Sequence, residues 1–132
     1  WIDMSWCQSD AAKSKMGGKI AVSRTTRHLT WDFPWAHWLS QHECVFIGLQ
    51  QERDIFEKEF FVKVDHLPTA NFLEVAVAIA ASKRFIGNQS CQCWIAMAMG
   101  HPLQQETMDI SPDSIVPRDN AVFVPCLTTK ID

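Results

Sequence analysis

The chain has 132 residues, a mass of 15.1 kDa, 47% hydrophobic and 20% charged residues, and a net charge of −3. That is the length of one domain, able to bury roughly two thirds of the surface its unfolded form exposes, and its hydrophobicity excludes a disordered chain. The acidic balance excludes the electrostatic footprint of a nucleic-acid binder, and no apolar run nears the ~20 residues of a membrane-spanning helix.

Residues 1–18 are mixed in character, with Lys13, Lys15 and the pair Gly17-Gly18. They read as a lead-in or linker with one short helical piece. Residues 19–23 are a short apolar run after glycines, which predicts a buried strand. Residues 24–33 are polar and read as a loop. A helix then begins at Asp32 or Phe33, with Pro34 in its first turn, where proline is tolerated. Trp35, Trp38 and Leu39 share its inward face. Residues 44–49 form a second buried strand, and 50–60 a helix with Ile55 and Phe56 inward. A third strand is expected at 61–64. Thr69 is a candidate N-cap for a helix over 70–82, apolar around most of its circumference.

Residues 84–86 read as a very short strand, 87–89 as a turn, and Ser90 as the N-cap of a helix over 91–99 closed by Gly100. Residues 102–105 are a further strand, 106–120 a long polar loop, and 121–125 a last strand. Short apolar strands alternating with helices predict an α/β fold, a Rossmann-like doubly wound parallel sheet with helices on both faces. Ligands of such sheets lie beyond the carboxyl ends of the strands.

Cysteine usage argues for reduced thiols in a cytoplasmic protein. The five Cys (Cys7, Cys44, Cys91, Cys93, Cys126) are odd in number and irregular in spacing. Cys91 and Cys93 in C-x-C spacing point ~200° apart on a helix, and paired zinc-ligand spacing is absent. No metal and no cofactor is expected. The first residues lack the basic and apolar regions of a signal peptide. The chain opens on Trp1 and has six Trp and no Tyr. This suggests a fragment or a processed chain.

Two loops carry the chemistry. Phe85-Ile-Gly-Asn-Gln-Ser90 runs from a strand into a helix. Gly87 permits close backbone approach, and the helix start presents free N–H groups and a positive dipole end, which suits a diphosphate. Asn88, Gln89 and Ser90 add side-chain donors. An ordinary N-cap after a turn glycine is the other reading. Neither the dinucleotide fingerprint nor the P-loop is present. Ser23-Arg-Thr-Thr-Arg-His28 brings Arg24, Thr25 and Arg27 to the same sheet edge, where arginine holds anions with forked geometry. Glu106 belongs at that edge too, as an acceptor for ribose hydroxyls or simply as a solvated loop residue. His66 is placed in a strand-to-helix loop near this edge. No nucleophile elbow is present, which counts against a small α/β hydrolase or phosphatase.

Residues 21–106 resemble the C-terminal, nucleotide-sugar-binding half of GT-B glycosyltransferases, in particular the ADP-heptose:lipopolysaccharide heptosyltransferase-like group. The matching pieces are Ile20-Ala-Val-Ser-Arg-Thr-Thr-Arg27, Val45-Phe-Ile-Gly-Leu-Gln-Gln-Glu-Arg-Asp-Ile-Phe56 and Phe85-Ile-Gly-Asn-Gln-Ser90 with Ile95-Ala-Met-Ala-Met-Gly-His-Pro102 and Glu106. The resemblance implies that Arg24 and Arg27 supply the basic group to a donor diphosphate and that Asn88, Gln89 and Ser90 face it. It departs from the group at three points. The usual Asp-Thr-Gly turn is Gly-Asn-Gln-Ser here, the His of the following helix is replaced by Trp94 or a neighbour, and the usual Lys of the first loop is Arg. The implied organisation is a linker over 1–18 and a donor-binding domain over 19–132. It binds a nucleotide-sugar donor without metal, and transfer requires an N-terminal half that these residues do not supply. A non-catalytic binding or assembly module of the same fold is the alternative.

Overall fold

The computed structural model describes residues 9–108 and 115–126, with the side chains of Pro125 and Cys126 left aside. The elements run α1 (Asp10–Met16), β1 (Ile20–Ser23), α2 (Trp35–Gln41), β2 (Cys44–Gly48), α3 (Gln50–Phe60), β3 (Asp65–Pro68), α4 (Phe72–Ala81), β4 (Arg84–Asn88), α5 (Cys91–Ala98), β5 (Leu103–Met108) and β6 (Ala121–Cys126). The strands form one sheet in the order β3-β2-β1-β4-β5-β6, parallel at every pairing. This is the Rossmann-like doubly wound α/β fold expected from the alternation of strands and helices.

Alternation along the strands divides the core, because successive side chains point to opposite faces. On one face Ala21, Val45, Ile47, Phe85 and Leu103 pack under α1, α4 and α5 through Met16, Val75, Ile79, Cys93 and Ala96. On the other, Ile20, Val22, Phe46 and Ile86 pack under α2 and α3 through Trp35 and Phe56. The strand reversal lies between β1 and β4, so the loops after these two strands flank the crevice where such sheets bind ligands.

Several boundaries differ from expectation, each for a physical reason. The short helical piece expected within 1–18 is α1, and it packs on the domain: Ser9 caps it, accepting from Ala12 N at 3.3 Å, and Met16 is fully buried in the core. The strand expected at 61–64 is a connector. Phe61 ends α3 in the left-handed region at φ 54°, and the Glu57 carboxylate accepts from Val64 N at 2.9 Å and Lys63 Nζ at 2.8 Å. The ladder therefore starts at Asp65, and His66 lies in β3 rather than in a loop. Ile55 faces solvent, and Phe56 and Phe60 fill the inner face instead. Asn71, not Thr69, caps α4. Its Oδ1 accepts from Glu74 N while Glu74 Oε2 accepts from the N–H of Ala70, one residue before the cap, so the helix start is tied on both sides. β4 runs on through Gly87 and Asn88, and β5 through Glu106, so none of these three is in a turn or loop.

His101 gives the fold an acid limit. Burial lowers its pKa from 6.5 to about 4, and its Nε2 lies 3.1 Å from Ser82 Oγ. The unfolded chain takes up this proton first. Its contribution to stability is therefore complete above pH 6.5 and is lost as the pH falls toward 4. The loss should be roughly 1–2 kcal/mol after discounting for partial exposure. Urea unfolding between pH 7 and 4.5 checks it: His101→Gln should flatten this part of the pH dependence.

Candidate functional site

The loop after β1 crosses the carboxyl edge of the sheet, and its first residue turns inward. Arg24 is 4% exposed. Its Nε and one terminal nitrogen bind the two oxygens of Glu106 at 2.9 and 3.1 Å, and the other terminal nitrogen binds Glu59 at 2.7 Å. The guanidinium also donates to Thr30 O at 3.0 Å and lies 4.9 Å from the centre of the Phe60 ring. Glu106 is wholly buried in β5 and takes three more bonds, from Thr30 N, Thr30 Oγ1 and Trp35 Nε1 at 2.7–3.0 Å. The side chains expected to meet a diphosphate and a ribose thus meet each other. Forked geometry is used, but on an internal carboxylate. Glu106 is neither a solvated loop residue nor open to a ligand, since both its oxygens are occupied.

The end of β4 braces the same loop. Asn88 is fully buried. Its Oδ1 accepts from Thr25 N at 3.1 Å, and its Nδ2 donates to Thr25 O at 3.2 Å and Arg27 O at 2.6 Å. Gln89 Oε1 accepts from Met108 N at 2.8 Å. Gly87 has a packing role: a Cβ there would stand 2.7 Å from the Phe85 ring and 2.9 Å from Ser23 O. Ser90 occupies the N-cap of α5, but its side chain makes no capping bond. Among the described residues no side chain therefore caps the first N–H groups of α5, which lie at the positive end of the helix dipole. Arg27 is exposed and forms no ion pair among the described residues. Of the eight residues singled out from the sequence, Arg24, Asn88, Gln89 and Glu106 are internal braces and Gly87 is a packing residue. Arg27 is exposed, Thr25 is half-buried with its Oγ1 against the Asn88 amide, and Ser90 Oγ is buried with no hydrogen-bond partner among the described residues.

A groove of about 430 Å³ opens at the same edge, between the ends of β2 and β3 and the start of α5. Its walls include Leu49, Phe72 and Val75, and its polar lining includes Glu52, Asn71 and Gln92. Gly48 makes room at the turn with φ 123°, a conformation side-chain-bearing residues rarely adopt. A Cβ there would lie 3.4 Å from Glu52 Oε2 and 3.9 Å from Ser23 Oγ. Burial raises the Glu52 carboxyl above its ordinary value, and the Leu49 backbone opposes that in part. Ser23 Oγ and Gln92 Oε1 are buried with no hydrogen-bond partner in the described structure. Glu52 and Gln92 were not among the expected site residues. The available signal was a carboxylate in the first helical turn after a strand-ending glycine.

The remaining candidates are structural. Cys44, Cys91 and Cys93 are free thiols, and burial pushes Cys93 up and Cys44 to about 11. Cys7 lies outside the described residues. No cluster of three His, Cys, Asp or Glu among the described residues is placed to hold a metal. No helix among them is long and apolar enough to cross a membrane. Trp94 is half-exposed on the first turn of α5.

No family model matches the sequence, and no curated protein matches it significantly. Among solved structures, the chain is similar to ADP-heptose lps heptosyltransferase II of E. coli, with a TM-score of 0.68 and 17% identity over 88% of this chain. At that identity the likeness shows the fold alone, a Rossmann-like parallel α/β sheet. The chain spans 43% of the length of that structure.

Proposed function

We propose that this chain is the donor-binding domain of a GT-B glycosyltransferase-like protein and holds a nucleotide-diphosphate sugar without metal. The observation that carries this reading is the groove with its Glu52 carboxylate next to the uncapped start of α5, at the edge where such sheets bind ligands. The apolar walls suit a base, and Glu52 accepts from ribose hydroxyls. The N–H groups of α5 and the unpaired Arg27 guanidinium receive the diphosphate. Arg24, Glu106 and Asn88 act through the loop they brace and not by contact. Transfer itself requires a second half to complete the cleft.

Titration calorimetry with ADP-, GDP- and UDP-sugars tests the reading. Arg27→Ala should weaken binding roughly tenfold, more at low salt than at high. Absence of binding to every nucleotide sugar overturns it. A second reading, a binding or assembly module without turnover, is favoured by one feature: Trp94 stands in the helix where the heptosyltransferase-like group carries a His. Sugar transfer by the chain joined to a partner half would eliminate that second reading.

A further inference from the structure

His66 sits on β3 beside the groove turn, with both ring nitrogens facing oxygen. Its Nε2 is 3.0 Å from Gly48 O and its Nδ1 is 3.0 Å from Gln50 Oε1. The orientation of the Gln50 amide is not free. Its Nε2 lies 2.6 Å from Asp54 Oδ1, which has to be approached by a donor. Asp54 is ionised, because hydrogen bonds from Arg53 and Gln50 hold it below the usual carboxylate range. The amide oxygen is therefore the atom turned to His66. A neutral imidazole carries one N–H and satisfies one of its two acceptors; an imidazolium satisfies both.

We propose that His66 is a positioning residue of the groove: its imidazolium ties the Gly48–Gln50 turn to β3, so that uptake of a ligand in the groove strengthens as the ring is protonated. Both tied residues belong to that wall, since Gly48 lines the groove and Gln50 begins the helix that carries Glu52. The surrounding charges are those of the α3 pair Arg53 and Asp54, the neighbouring Asp65 with Lys15 and Lys19, and Glu52 across the turn. From β2, His66 meets the Phe46 ring at 6.3 Å and the Gly48 carbonyl. The proton enters from solvent on a half-buried edge strand, so no relay is needed. The ligand side of this inference rests on the donor-binding reading; the clamp itself does not.

Two measurements test it. In the free chain, the backbone amide signals of residues 48–50 should shift with pH in step with the His66 ring signals, and His66→Gln should abolish this. Amides that ignore the ring overturn the clamp. In calorimetry, ADP-glucose and UDP-glucose serve as probes because their diphosphate diesters do not titrate near neutral pH. Affinity should be roughly fivefold higher at pH 6 than at pH 8, as expected when a neutral hydrogen bond becomes charge-assisted. His66→Gln should remove the difference, and His28→Gln, at the exposed β1 loop, should retain it. A pH dependence that persists in His66→Gln or disappears in His28→Gln overturns the positioning role. Failure of both probes to bind at either pH overturns the donor-binding reading, and the amide titration alone then decides the clamp.

Discussion

Replacing Glu106 by leucine is expected to destabilise the chain by about 3–5 kcal/mol, the range for breaking a buried ion pair from one side. Glu106 takes five hydrogen bonds, from Arg24, Thr30 and Trp35. Its removal strands the Arg24 guanidinium, 4% exposed, with only the half-buried Glu59 for charge. The loss is a large share of the ~5–15 kcal/mol that holds a domain folded. Urea unfolding measures it. The pair Arg24→Met with Glu106→Leu should recover much of the loss, because no uncompensated charge is then left inside. If Glu106→Leu unfolds at the same urea concentration as the parent, the brace does not act as the geometry implies. A loop freed at its root should also lose its hold on Arg27, so Glu106→Gln should weaken nucleotide-sugar binding without touching the ligand.

Gly87→Ala is expected to destabilise by about 3 kcal/mol, the upper end for forcing atoms into a packed core. The added methyl would stand 2.7 Å from the fully buried Phe85 ring and 2.9 Å from the carbonyl of Ser23. The ring cannot swing away within a closed core, and the carbonyl belongs to β1, which pairs with β4 at this point. Relief requires the two central strands to part at the switch point. Thermal unfolding of the variant measures the effect. A small shift in Tm with binding lost would instead assign Gly87 to close approach by a ligand. The packing account predicts the reverse order, with stability failing first.

The alternation of apolar runs and helices was sufficient to read the parallel α/β sheet, because burial on both faces leaves a continuous apolar signature in each strand. The helix starting at Gln50 and the closure of α5 near Gly100 were equally legible. Boundaries failed where a side chain, not the local pattern, decides where backbone bonds go. Glu57 captures the amide of Val64 and delays β3 to Asp65. Asn71 captures Glu74 N and shortens α4. Neither bond has a signature in periodicity.

The sequence alone determined the layer architecture, since it follows from hydrophobic period and chain order. Which polar residues face outward at the carboxyl edge of the sheet was decided by the tertiary structure. Arg24 and Glu106 are 82 positions apart, and only the pairing of β1 with β4 and of β4 with β5 brings them together. A buried charge needs a partner, so the two anion- and ribose-suited residues became one another's ligand. The open surface passed instead to Arg27, the start of α5 and a groove lined by Glu52 and Gln92. Pairing across the sheet, invisible in a linear pattern, separates the residues that brace the site from those that meet solvent.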